Sequence, residues 1–161
     1  MSKLLFTLFS AAFASAYASL SDCSNGESLF KLTSMSFSPD PTVPGLNSTL
    51  LLSMDVPSEI TNGTATYAYT YNFLPFSPTV DPLCDVTVPC PIQVGVLNTR
   101  SSYPISPDLN GSLKIKVSWS DLNGNLLMCV LINTKLGNNK QLAVFKKFLL
   151  GPASRSNISR Y

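Results

Sequence analysis

Leu113, Ile115, Val117 and Trp119 alternate with Lys114, Lys116 and Ser118. A run that is apolar at every second residue can bury one side only as an extended strand. The same period recurs where Leu50, Leu52, Met54 and Val56 oppose Leu51, Ser53 and Asp55, and where Tyr67, Tyr69, Tyr71 and Phe73 oppose Ala68, Thr70 and Asn72. Leu126 to Ile132 is apolar on both faces and reads as a strand covered from both sides. Leu29–Phe37, Ile92–Val96 and Gln141–Leu149 are weaker strand candidates, the last with a short amphipathic helix as its alternative. Turn builders punctuate the chain: Pro39-Asp40-Pro41 to Pro44-Gly45, Asn62-Gly63, Pro75 to Pro82, Asn110-Gly111 and Asn123-Gly124. Of these, Asn123-Gly124 between two apolar strands is the strongest hairpin signal. About seven strands with no repeating helical stretch predict an all-β antiparallel sandwich, and 161 residues suit one domain.

The opening residues read as an export signal. Lys3 provides a positive start, Leu4 to Phe13 a short apolar run, and Ala16-Tyr17-Ala18 a small-residue cleavage site. Residues 1–18 are therefore expected to leave, with cleavage after Ala18. No later segment has the length a spanning helix requires. The expected destination is secretion or the lumen of an endosomal, lysosomal or vacuolar compartment. In such surroundings four cysteines point to two disulfides, with three possible pairings. The favoured pairing is Cys84–Cys90, closing a small loop around Val88-Pro89, with Cys23–Cys129 tying the mature N-terminus to a late strand. Sequons at Asn47, Asn62, Asn110 and Asn157 agree with export as glycosylation sites.

Several function classes fall away on residue types alone. The chain has no histidine, which removes Ser-His-Asp and Cys-His catalysis together. Its nine acids are scattered, so no carboxylate pair suggests a hydrolase. Tetrahedral zinc wants closely spaced Cys or His ligands, and no phosphate-binding glycine loop occurs. No metal, no cofactor and no enzyme activity are expected. A formal charge of +2 is too weak to argue for nucleic acid. Charge is nonetheless uneven: no acid follows Asp121, whereas Lys135, Lys140, Lys146, Lys147, Arg155 and Arg160 do. Residues 137–161 form a basic extension, either a contact for anionic head groups or protein partners, or a solvated end.

What remains is apolar bulk, with hydrophobic residues at 45% and charged ones at 12%. The stripe Tyr67, Tyr69, Tyr71, Phe73 with Phe76 suits ordinary packing between two sheets, and periodicity alone does not separate that from the lining of a pocket.

The run Pro75-Phe76-Ser77-Pro78, Cys84, Cys90-Pro91-Ile92-Gln93, Tyr103-Pro104, Val117-Ser118-Trp119 and Cys129 resembles the ML lipid-recognition domain family, especially its small soluble Niemann–Pick type C sterol carriers. Pro39-Asp40-Pro41-Thr42-Val43-Pro44-Gly45 resembles the related phosphatidylglycerol/phosphatidylinositol transfer proteins. The resemblance runs from Asp22 to Leu136 and sets the expected domain at 22–136. It implies an immunoglobulin-like sandwich whose sheets part around a sterol or phospholipid, and the same two disulfides, Cys23–Cys129 and Cys84–Cys90. It also implies that Phe76 lines the cavity and that Tyr103 lies near its mouth. The remaining lipid-binding candidates are Tyr67, Tyr69, Tyr71, Phe73, Leu52, Met54, Val94, Val96, Val117 and Trp119. Two departures stand out. A third disulfide of the sterol carriers, near Ser38 to Val43, is missing, which favours the phospholipid branch. Ser106 to Gly111 looks like an insertion that reshapes the mouth or adds a partner-binding surface. The function expected is lipid binding and transfer with transient membrane contact. The alternative is a non-catalytic interaction protein on the same fold with a reduced cavity.

Overall fold

The computed structural model describes residues 18–87 and 90–136. The expected export signal up to Tyr17, the Val88-Pro89 tip, the Gln141–Leu149 element, Asn157 and the basic extension 137–161 lie outside the described residues. In chain order the elements are β1 (Ser19–Asp22), β2 (Lys31–Ser38), β3 (Asn47–Val56), β4 (Gly63–Tyr71), β5 (Leu74–Pro75), β6 (Thr79–Pro82), a helical turn α1 (Leu83–Val86), β7 (Gly95–Pro104), β8 (Gly111–Asp121) and β9 (Leu126–Leu136). One sheet runs β1-β9-β8-β4-β5, with β6 sharing the outer edge of β4; the other runs β2-β3-β7. Every strand pair in both sheets is antiparallel. Two such sheets packed inner face to inner face form the expected immunoglobulin-like sandwich.

Period two decides which side chains meet. In β8, Leu113, Ile115, Val117 and Trp119 are buried while Lys114 and Lys116 are exposed. Across the ladder Trp119 pairs with Ala65 and Met128, Val117 with Tyr67 and Val130, and Ile115 with Tyr69 and Ile132. The inward face is therefore apolar across three strands. Opposite it, Leu50, Leu52, Met54 and Val56 of β3 are buried, with Leu97 of β7 and Phe37 of β2. These residues belong to one continuous core. Each large apolar side chain so enclosed contributes roughly 1.5–3 kcal/mol.

The turns follow their residue types. Gly124 takes φ +84 between β8 and β9, while the Asp121 carboxylate accepts N–H bonds from Asn123 and Asn125 at 2.8 Å each. The Asn125 side-chain amide donates to the same carboxylate at 2.7 Å, and this bond first, with the two backbone bonds, holds the Asp121 carboxyl below its usual range. Leu127 and Cys129, on the outward side of β9, are buried as well. The chain before β2 covers that edge through Phe30 N–H to Leu127 C=O (2.8 Å) and Cys23 N–H to Cys129 C=O (3.1 Å).

Three expectations about strands need correction. Ile92–Val96 is not a strand: Ile92 forms an isolated bridge with Ile60, and β7 starts at Gly95 and runs to Pro104. Its inward positions include Thr99 and Ser101 beside Leu97 and Tyr103, which blurs the alternation. The Tyr67–Phe73 stripe ends at Tyr71, because Asn72 and Phe73 form a two-residue turn with φ 46 and 70, and Leu74 pairs back on Tyr71. Two positive φ values in a two-residue hairpin define the type I′ turn, normally Asn-Gly; phenylalanine at the second place hides it. The Pro75–Pro82 stretch, read as a turn, carries β5 and β6. The sequon residues Asn47, Asn62 and Asn110 are exposed.

Both disulfides join the favoured pairs, Cys23–Cys129 over a sequence separation of 106 and Cys84–Cys90 over 6. Chain-entropy reasoning gives the long loop about 4–5 kcal/mol and the short one about 2 kcal/mol. Cys23→Ala/Cys129→Ala is therefore expected to lower the denaturant midpoint about twice as far as Cys84→Ala/Cys90→Ala. Equal losses in urea titrations would contradict this ordering.

Candidate functional site

Packing between the sheets is uneven along β8. At the Trp119 end the space is filled: Leu52, Met54, Tyr67, Val117 and Trp119 are all buried in the core. At the Leu113 end an apolar cavity of about 220 Å³ remains, lined by Tyr69 and Tyr71 of β4, Phe76, Leu113 and Ile115 of β8, and Pro104, Ile105 and Leu109. Tyr69, Tyr71, Leu113 and Ile115 reach it because they occupy inward positions at the end of the stripe. Phe76 reaches it because its N–H bonds to the Tyr69 carbonyl (2.9 Å), laying the residue along the β4 edge.

The outer wall is the β7–β8 connection. Tyr71 O–H donates to the Asn110 carbonyl at 2.6 Å, and Asn110 N–H donates back to the same phenol oxygen at 3.2 Å. The Asn72 amide also donates to that carbonyl (3.3 Å) and accepts from Ser112 N–H (2.9 Å). Gly111, at φ 110, lies so close to the Asn72 amide that an added Cβ would overlap it. At the other end of the connection, Gly45 N–H bonds to the Ile105 carbonyl at 2.9 Å and Ile105 N–H to Leu46 at 3.3 Å. The wall is thus latched at both ends, and its apolar residues Ile105 and Leu109 face the cavity.

The structure sorts the residues chosen from sequence into three groups. Tyr69, Tyr71 and Phe76 come together at the cavity. Leu52, Met54, Tyr67, Val117 and Trp119 are core, and Tyr103 packs among them edge-on to Tyr67 at 6.4 Å between ring centroids. Phe73, Val94 and Val96 are apart from both: Phe73 sits on the hairpin tip, Val94 precedes β7, and Val96 is on its outward side opposite in parity to the buried Leu97. Sequence reasoning did not assign Pro104, Ile105, Leu109, Leu113 and Ile115 to the cavity. For Leu109 the signal was the insertion at Ser106–Gly111, while Leu113 and Ile115 read only as inward strand positions.

Polar groups at the junction of core and cavity are phenols. Burial pushes the Tyr103 phenol well above its ordinary range; nearby Tyr67 and Tyr69 add to this, and Ser101 opposes it. The Tyr103 hydroxyl is buried without a closed hydrogen bond, as are the Trp119 indole N–H and the Ser48 hydroxyl. Burial, then Asp81, likewise raises Tyr67 and Tyr69. An apolar pocket lined by Tyr69, Tyr71, Phe76, Ile105, Leu109 and Leu113 can take up a hydrocarbon group.

A sequence profile described as the ML domain matches residues 18–136. Two Dictyostelium discoideum proteins with the provisional name phosphatidylglycerol/phosphatidylinositol transfer protein, numbers 1 and 3, are 34% and 35% identical over 81 and 82 residues. These alignments take in 50% of this chain and 54% of each relative, so the chain spans about half the length of the curated relatives it matches. Among solved structures, a Niemann–Pick type C2 protein from Japanese carpenter ant superposes with TM-score 0.56 at 16% identity, over 74% of this chain and 99% of that one. Chicken MD-1 complexed with lipid IVa superposes with TM-score 0.56 at 13% identity, over 73% and 88%. At these identities the two structures show a shared fold.

Two outcomes follow from the latch and the phenols. Tyr71→Phe removes both hydrogen bonds to Asn110, so stability should fall by about 1 kcal/mol. Amide exchange over 105–112 should quicken while the β8–β9 ladder stays protected; uniform protection across the chain would contradict the latch. In alkali the unfolded chain releases the Tyr103 proton near pH 10, whereas the folded chain retains it. The contribution of Tyr103 to stability is therefore constant below that pH and falls as pH rises above it. Tyr103→Phe should flatten that fall in melting curves taken from neutral to strongly alkaline pH.

Proposed function

The chain belongs to the ML domain family, and on that premise we propose that it is a non-catalytic lipid carrier that shields the apolar part of one lipid between its sheets. The observation that carries this reading is the apolar cavity bounded by Tyr69, Phe76, Ile105 and Leu109. Covering hydrocarbon there is worth ~25 cal/mol per Å². The ligand class is a phospholipid first and a sterol second. The provisional names of the Dictyostelium relatives favour a phospholipid, and the sterol carriers' extra disulfide has no counterpart among the four cysteines. The partly exposed Phe76 stands at the entrance. Two disulfides suit secretion or an oxidising lumen, in line with the export signal expected over residues 1–18.

The size of the cavity favours a second reading. About 220 Å³ lies below the ~300–1,000 Å³ usual for small-molecule pockets. A whole lipid requires the latched wall to yield; an interaction protein with a reduced cavity does not.

Native mass spectrometry of the protein from its producing cells, followed by denaturing extraction, decides between the two. A stoichiometric phospholipid or sterol is the outcome expected of the carrier. Protein that is empty and takes up neither class from vesicles, yet binds a protein partner saturably, is the outcome of the interaction module. Phe76→Asp should fold and lose lipid, because an unpaired charge against hydrocarbon is costly. Undiminished affinity in a folded Phe76→Asp protein would remove Phe76 from the site.

A further inference from the structure

The charge of this chain divides at Leu136. Residues 18–136 carry five cations and nine acids, a side-chain charge of −4, whereas residues 137–161 carry five cations and no acid, a charge of +5. Opposite charges tethered on one chain meet at an effective concentration of about millimolar, so weak contacts between them are enough. The basic part is also apolar at its centre. Leu142, Ala143, Val144 and Phe145 precede Lys146-Lys147, and Phe148, Leu149 and Leu150 follow. A segment of this composition is stabilised by a surface that offers apolar cover and carboxylates together.

The cavity entrance is such a surface, and it lies where the segment begins. Strand β9 ends at Leu136, paired with Gly111, the residue after the Asn110 carbonyl that latches the wall. Residues 137–141 span up to ~17 Å when extended, enough to carry the apolar segment across the mouth of a cavity of about 220 Å³. At that mouth Phe76 is 57% exposed and Leu109 half-buried. Asp108, next to Leu109, is exposed; Asp81 is exposed on β6 and near enough to the Tyr69 phenol to raise its pKa. Neither carboxylate forms an ion pair with a described residue. The five described cations stand elsewhere. Lys114, Lys116 and Lys135 point outward from the larger sheet, and Lys31 and Arg100 outward from the smaller. The entrance therefore presents apolar surface with two carboxylates, the complement of residues 141–150.

We propose that residues 141–150 fold back over the cavity entrance of their own domain, with their apolar side chains against Phe76 and Leu109 and with Lys146 and Lys147 facing Asp81 and Asp108. The chain so closes its own site. The consequence rests on the carrier reading above, since a lipid enters only when the segment lifts; the contact itself is intramolecular and needs no lipid. Salt screens the charged half of the contact and opens the entrance.

Carbodiimide cross-linking of the full chain in dilute solution tests the contact, because this reagent joins only amines and carboxylates that touch. Peptide mapping should find Lys146 or Lys147 joined to Asp81 or Asp108 within one chain. Links from these lysines to other acids in their place, or no links at all, overturn the proposal. So do links that join isotope-labelled to unlabelled chains in a mixture, which would make a second copy the occupant. Lys146→Glu/Lys147→Glu should abolish the links and speed uptake of the neutral fluorophore N-phenyl-1-naphthylamine roughly tenfold, the weight of two exposed ion pairs. Asp81→Lys/Asp108→Lys in that background should restore slow uptake, which a damaged fold does not do. Uptake equally fast in the wild type and in Lys146→Glu/Lys147→Glu overturns closure and leaves the carrier intact. Links formed as expected in a chain that takes up neither the fluorophore nor phospholipid in any variant support the contact and overturn the carrier alone.

Discussion

The inward face of β8 is the constraint on which the other features depend. Leu113, Ile115, Val117 and Trp119 cannot be exposed together, so β4 and β9 must flank the strand and the three-stranded sheet must cover it. One face then provides two environments. Near Trp119 the opposing side chains interlock, with Met54 and Met128 wholly enclosed. Near Leu113 the opposing sheet ends at Pro104, and its place is taken by a connection rather than a strand. The cavity is the gap left where strand-on-strand packing gives way to loop-on-strand packing. A loop satisfies its backbone through a few local bonds and fills space less completely than a second sheet.

That connection explains why a site of so little polar chemistry is well defined. Tyr71 faces the cavity with its ring and binds the wall with its hydroxyl, so one residue is both lining and latch. Asn72, the next residue, holds the same carbonyl while starting the turn that projects Phe73. Cavity, wall and exposed tip therefore share three consecutive residues. Tyr71 and Asn72 share the Asn110 carbonyl as a partner, so a disturbance at one is felt at the other.

The fold was largely legible because two-residue alternation is a local property. Leu50–Val56, Leu113–Trp119 and the Asn123-Gly124 hairpin all rest on neighbours in the chain, and all form as read. Legibility ended where local rules were broken. Strand β7 was obscured by Thr99 and Ser101 on its inward side. The β4–β5 turn was hidden by Phe73 in the place of glycine. Val94 and Val96 looked like site residues because apolarity does not reveal parity; the register that pairs Met54 with Leu97 turns Val96 outward.

By itself the sequence determined the class of fold and the absence of histidine chemistry, because each depends on residue type and spacing alone; of three possible cysteine pairings it favoured the one the folded chain forms. It also supplied the inventory of aromatic residues from which a site is drawn. Only the tertiary structure decided which of those aromatics border empty space. Tyr67 and Tyr69 are alike in type, strand and parity, yet one is enclosed in the core and the other lines the cavity. The difference is what lies opposite. Tyr67 meets the Tyr103 ring of the second sheet, and Tyr69 faces the end of that sheet, a contact between residues far apart in the chain that no local pattern encodes.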